Sequence, residues 1–246
     1  MPGFHHVPPT AARSGRNLPG PARLNRAARR SDALPEVAVA RDDRSVNLVE
    51  APVSVQAAAF ERMVLRNPAL VTVLDRMPGL DLPGCWLAAG AVFQTVWNCL
   101  SGRDPGAGIK DYDLIYHDSA DLGWDAEDRV IRRATGLFAD LPVDVEVRNE
   151  ARVHLWYEGR FGVRCPPYHS TEAAIATFPS TSSCFGVRRS SAPDGGLDVY
   201  APFGFTDLFA FRTRPNPALA PRRVYETKTA RWRAEWPQLQ VLPWPP

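Results

Sequence analysis

Two aspartates one residue apart, Asp111 and Asp113, stand in the run Asp111-Tyr112-Asp113-Leu114-Ile115-Tyr116. In a strand, residues i and i+2 share a face. The two carboxylates are then expected side by side, with Tyr112 and Leu114 turned into a core. Adjacent carboxylates repel unless a cation lies between them. A magnesium ion suits such a pair, because it takes hard oxygen ligands and also binds substrate phosphates. The chemistry implied is metal-assisted phosphoryl or nucleotidyl transfer. An acid pair at this spacing is also, more simply, the solvated face of an ordinary strand.

Upstream, Leu87-Ala88-Ala89-Gly90-Ala91-Val92 reads as a strand that ends in a small-residue turn and opens a helix. Val92, Val96, Cys99 and Leu100 recur at helical spacing, and Gly102 stops the helix. The backbone amides of Gly90 and Ala91 would then lie at a helix N-terminus, a place suited to phosphate. Lys110 adds a point charge beside Asp111. Downstream, Val143 to Val147 reads as a neighbouring strand. Asp144 and Glu146 share one face of it, and either can serve as a third acid. A second strand is expected over Val153 to Tyr157. On a continuous strand, Arg148, Arg152 and His154 would join the acidic face, with Arg152 binding a phosphate or forming a structural ion pair.

The remaining elements follow from caps and breakers. Ser54 is expected to cap a first helix that ends at Asn67-Pro68, with a short helix from Ala69 to Met77 after it. Helices are also expected over Glu127 to Phe138, from Ser170 or Thr171 to Phe178, at Thr206, and over Val224 to Trp236. Trp232, Trp236 and Trp244 read as packing residues. The fold class expected is α+β, a small mixed β-sheet flanked by helices.

The chain has 246 residues, 45% of them hydrophobic, enough for a sizeable core. Residues 1 to 30 hold six arginines and no acid. Taking those six from the 29 basic residues leaves 23 against 27 acidic ones, so the body is not a basic nucleic-acid clamp. Residues 1 to 50 mix Pro, Gly, Ala and Arg without a sustained period. A disordered tail is expected there, before a domain over 51 to 246. An organelle transit peptide would show more serine and an amphipathic period. No apolar run approaches the ~20 residues of a membrane span. Cys85, Cys99, Cys165 and Cys184 lack the spacing of a zinc or redox pair. Reduced thiols in a cytoplasmic protein are expected.

The turn at Gly90, the helix ending Leu100-Ser101-Gly102-Arg103 and the run Lys110-Asp111-Tyr112-Asp113 together resemble the head of CCA-adding, polymerase-β-type nucleotidyltransferases. Glu146-Val147-Arg148-Asn149-Glu150 through Tyr157, Pro166 to Glu172 and Ala201 to Phe209 resemble a bacterial nucleotidyltransferase-like family. Val224-Tyr225-Glu226 and Trp232 to Trp236 fit the same family, so the likeness spans about residues 55 to 243.

The resemblance implies a nucleoside triphosphate substrate, a hydroxyl acceptor of unknown identity, and magnesium or manganese held by Asp111, Asp113 and a third carboxylate. Glu146 is favoured for that place because the family stretch follows it. Gly90, Ala91, Lys110 and Arg152 would contact the nucleotide. CCA-adding enzymes carry Arg-Asp where this chain has Phe93-Gln94, a departure that speaks against tRNA-terminal addition. Two other classes remain open on the residues. One is a glycosyltransferase that uses the Asp-x-Asp pair; the other is a nucleotide-binding or interaction protein that has lost turnover.

Overall fold

The alternation of residues 111 to 116 is realised in strand β2, Asp111–Tyr116. Tyr112, Leu114 and Tyr116 are buried on one face, while Asp111 and Asp113 are half-buried on the other. The computed structural model describes residues 47–193 and 195–246. The expected tail lies outside the described residues up to position 46. The chain is already packed at Leu48, slightly before the expected boundary. Leu48 lies in the core, and its carbonyl accepts a hydrogen bond from the Gln56 side chain at 2.8 Å.

Around β2 the sheet is mixed. β1 (Trp86–Ala88) pairs antiparallel with β2, and β3 (Asp144–Asn149) pairs parallel with it. β4 (Gly186–Arg189) lies antiparallel to β1, and β5 (Leu197–Tyr200) antiparallel to β4. The order is β3-β2-β1-β4-β5. The parallel pair requires a crossover, which helix α4 (Trp124–Leu137) supplies.

Helices α1 (Val53–Val64), α2 (Pro68–Arg76) and α3 (Gly90–Leu100) belong to the main core. Leu87, Leu114 and Val187 from the central strands are fully buried against Phe60, Val92 and Trp97. Each such large apolar side chain is worth ~1.5–3 kcal/mol of burial. On the opposite face, Trp86, Ala88 and Ile115 form a smaller cluster with Ile175 from α6 (Thr171–Ile175). That second face carries the acids.

The C-terminal segment reaches back to the sheet. α7 (Thr206–Phe209) precedes a short parallel pair, β6 (Arg212–Thr213) and β7 (Gln240–Val241), and α8 (Arg222–Glu235) lies between those two strands in sequence. Trp232 packs edge-on against Phe93 at 4.9 Å, and Trp236 lies 5.3 Å from Trp97. The expected packing role of these tryptophans fits their near-complete burial. Their docking fixes α8 beside α3, and so beside the acidic end of β2.

Several local expectations shift. The first helix starts at Val53 after Pro52, without the expected Ser54 cap. Asn67 caps the next helix, its side chain accepting the Leu70 N–H at 3.2 Å. Residues 153 to 157 form no strand. Asn149 accepts the Ala151 N–H at 3.1 Å and diverts the chain into a 3-10 turn, Glu150–Leu155, followed by helix α5, Tyr157–Phe161.

Candidate active site

The chain reverses between β1 and α3 at Ala89, which has φ 52° and ψ −120°. That region suits glycine and strains a residue with a Cβ. Gly90 is therefore the first residue of the helix, and the pivot is its neighbour. Ala89 is held in place by its N–H donated to the Phe185 carbonyl at 3.0 Å. No side chain caps α3; the Val92 N–H donates to the Ala89 carbonyl at 3.1 Å, while the amides of Gly90 and Ala91 lie ahead of the helical bonds. Gly90 stands close to the acids: a Cβ there would lie 3.9 Å from Asp111 Oδ1 and 3.0 Å from Gln94 Nε2.

Asp111 and Asp113 line a cleft of about 270 Å³ together with Ala89, Gly90, Gln94, Arg148, Glu150, Lys228 and Arg231. Phe93, Phe178 and Trp232 supply apolar surface to it. Burial and then the neighbouring Asp111 push the Asp113 carboxyl up to about 6; Lys228 and Arg148 oppose the rise. The Glu150 carboxyl is pushed up to about 7, first by burial and then by Asp113. Lys228 is lowered by its surroundings and by Arg231, although Asp113 and Asp111 favour its charged form. The cleft thus concentrates negative charge on the sheet and positive charge on α8.

The residues expected at the site divide into three groups. Asp111, Asp113 and Gly90 come together at the cleft, with Ala91 buried behind Gly90 in the first turn. Glu146 is opposite Asp113 in the parallel register, and Asp144 is opposite Asp111, so all four acids share one face. The Glu146 carboxylate is nevertheless exposed and accepts from Arg148 Nη2 at 3.2 Å. Lys110, Asp111, Asp144 and Glu146 line a separate outer hollow beside α4.

Arg152 lies apart from the acidic face. It is buried in an ion pair with Glu127, donates from Nε to the Leu122 carbonyl at 3.0 Å, and stacks 4.2 Å over Trp124. The expectation that it shares the acidic face assumed a continuous strand, and the turn after Asn149 removes that premise.

Glu150, Lys228 and Arg231 were not anticipated. Glu150 continues the period-two series 144, 146, 148, 150 that gave Glu146. Lys228 is one of only two lysines in the chain. Its spacing of three and four residues from Arg231 and Trp232 puts the three side chains on one helix face.

The donor set can be tested against a divalent cation. Two hard carboxylates stand side by side, and burial followed by repulsion from Asp111 raises Asp113, a cost to its charged form that a cation relieves. Among the described residues, however, no group of three or more His, Cys, Asp or Glu side chains is arranged to hold a metal. The aspartate pair fits; Glu146 lies opposite Asp113 on the same face and adds to the charge acting on it, while its carboxylate meets Arg148.

The fold and this acidic turn define a class. A structure solved by NMR and described as revealing a CCA-adding enzyme head domain superposes with a TM-score of 0.60 at 22% identity. The match covers 75% of this chain and 95% of that one, and it establishes a shared fold. A nucleotidyltransferase family model matches residues 75–241, and the chain belongs to that family. No curated protein matches the sequence. No described helix is long and apolar enough to cross a membrane.

Proposed function

We propose that the protein transfers a nucleoside monophosphate from a nucleoside triphosphate to a hydroxyl acceptor, with release of pyrophosphate. Family membership supports nucleotidyl transfer over the sugar-nucleotide reading of the Asp-x-Asp pair. The observation that carries the proposal is the convergence of Asp111 and Asp113 with the uncapped N-terminus of α3 and the cations of α8 on one cleft.

In this reading the opposed charges divide the triphosphate between two walls. The first-turn amides at Gly90 and Ala91 donate to phosphate oxygens, aided by the helix dipole. Lys228 and Arg231 approach from α8 and neutralise the phosphate tail, the portion that departs. Asp111 and Asp113 would hold magnesium or manganese, whose Lewis acidity activates the α-phosphate and the attacking oxygen. Phe93 and Trp232 keep the floor of the cleft apolar, which strengthens the electrostatic contacts made above it. The acceptor oxygen attacks the α-phosphorus in line, and the bond to the pyrophosphate oxygen breaks.

The test is a panel of the four nucleoside triphosphates with magnesium or manganese, read by pyrophosphate release and by mass spectrometry of products, including self-modified protein. Release with at least one nucleotide, lost in Asp111→Asn, is expected. Nucleotide binding without release from any acceptor tried would favour the binding-protein reading. The ion pair of Glu146 with Arg148, which engages the expected third acid, is the observation on that side.

A further inference from the structure

We infer that Glu150 is the proton acceptor of the reaction, the group that takes the hydrogen from the attacking hydroxyl. This rests on the nucleotidyl-transfer reading above. Glu150 is 8% exposed, yet it forms part of the wall of the cleft that holds Asp111 and Asp113. A buried carboxyl is normally met by donors. Here, among the described residues, no hydrogen bond reaches its carboxylate, and its charge is felt by Asp113, Arg148, Tyr168 and Cys165.

The other buried acid nearby behaves differently. Glu127 pairs with Arg152 and accepts the Asn149 N–H at 2.9 Å, so both of its oxygens are engaged. Glu150 is the buried carboxyl left free to face the cleft.

Its backbone is also held firmly. Asn149 accepts the Asp118 N–H at 3.0 Å and donates to the Asp118 carbonyl at 2.8 Å. The same side chain accepts the Ala151 N–H, while Glu127 holds the Asn149 N–H. Two segments, at Asp118 and Glu127, thus clamp the residue before Glu150, which in turn holds the residue after it. Arg152, expected to touch nucleotide, serves instead to anchor Glu127 within this clamp. A catalytic group on a rigid support loses little entropy when it meets its substrate.

The chemistry balances. The acceptor O–H gives its proton to a Glu150 oxygen, and the oxygen forms a bond to the α-phosphorus. The bond from that phosphorus to the bridging oxygen breaks, and its electron pair leaves with pyrophosphate.

The experiment compares the full chain with Glu150→Gln and Glu150→Asp. It reads nucleoside triphosphate affinity by calorimetry and turnover by pyrophosphate release. General-base removal is expected to lower turnover ~10²–10⁴-fold. Triphosphate affinity should stay within threefold in Glu150→Gln, because the residue is assigned to the acceptor's proton and not to phosphate. Glu150→Asp should recover part of the turnover. Unchanged turnover in Glu150→Gln overturns the inference and leaves nucleotidyl transfer standing. A parallel loss of affinity and turnover in a folded Glu150→Gln protein overturns it too, by showing a binding role. Absence of pyrophosphate release from the unmodified protein with all four nucleotides and both metals overturns the functional reading, and the inference with it.

Discussion

Asp113→Asn should make the protein more stable while disabling it. The Asp113 carboxyl is raised from 3.8 to about 6 by burial and by Asp111. The folded state therefore holds its proton more tightly than the unfolded chain does. Below the unfolded value, both states are protonated and the group costs nothing. As pH rises from about 4 to about 6, the unfolded chain ionises first and folding loses stability; above about 6 the loss is constant. A rise from 3.8 to about 6 corresponds to ~3 kcal/mol at most. Partial exposure of Asp113 reduces this to ~1–2 kcal/mol.

Asparagine keeps the shape and removes the charge, so it should recover that amount at pH 7.5 and little at pH 4.5. For a body of this size the gain is roughly 2–8 °C in melting temperature. The assay is thermal unfolding of both proteins across pH 4.5 to 7.5 without divalent metal. Equal melting temperatures at pH 7.5, or a variant less stable than the parent, would refute the claim that burial and Asp111 together penalise the Asp113 charge.

Four further outcomes follow from the structure. Lys228→Ala should weaken triphosphate binding by ~10-fold or more with unchanged circular dichroism, as measured by calorimetry, because it removes a cation from the α8 wall. Ala89→Val should cost ~2 kcal/mol or more in urea unfolding, since a β-branched residue at φ 52° is strained, while Ala89→Gly should match or exceed the parent. Phe93→Ala should cost ~3–5 kcal/mol by the same assay, because Phe93 is 1% exposed between Trp97 and Trp232. Magnesium should raise the melting temperature of the parent but not of Asp113→Asn, by linkage to the folded state.

The sequence revealed most where short-range patterns govern structure. Alternation in Asp111–Tyr116 put its apolar residues and its acids on the correct faces, because burial fixes register to the residue. The turn at Ala89-Gly90 and the helix after it were also visible, although the pivot is the alanine. Arg152 was misplaced because one side-chain hydrogen bond, from the Ala151 N–H to Asn149, ends the strand. Alternation alone cannot see such a bond.

Lys228 and Arg231 are not legible as site residues for a different reason. They reach the acids only because Trp232 and Trp236 dock on Phe93 and Trp97, more than a hundred positions earlier in the chain. Glu150 was within reach of the pattern that gave Glu146. Its burial, which separates it from the exposed Asp144 and Glu146, depends on how the cleft closes over it.

The central claim is that Asp111 and Asp113 form a metal-dependent nucleotide site. Its most direct test is calorimetry of nucleoside triphosphate binding with and without magnesium, on the parent and on Asp113→Asn. Each ligand should tighten the other by the same factor, as linkage requires. The coupling should be largely lost in the variant. Failure of the parent to bind any triphosphate with magnesium or manganese, or equal coupling in both proteins, would contradict the account.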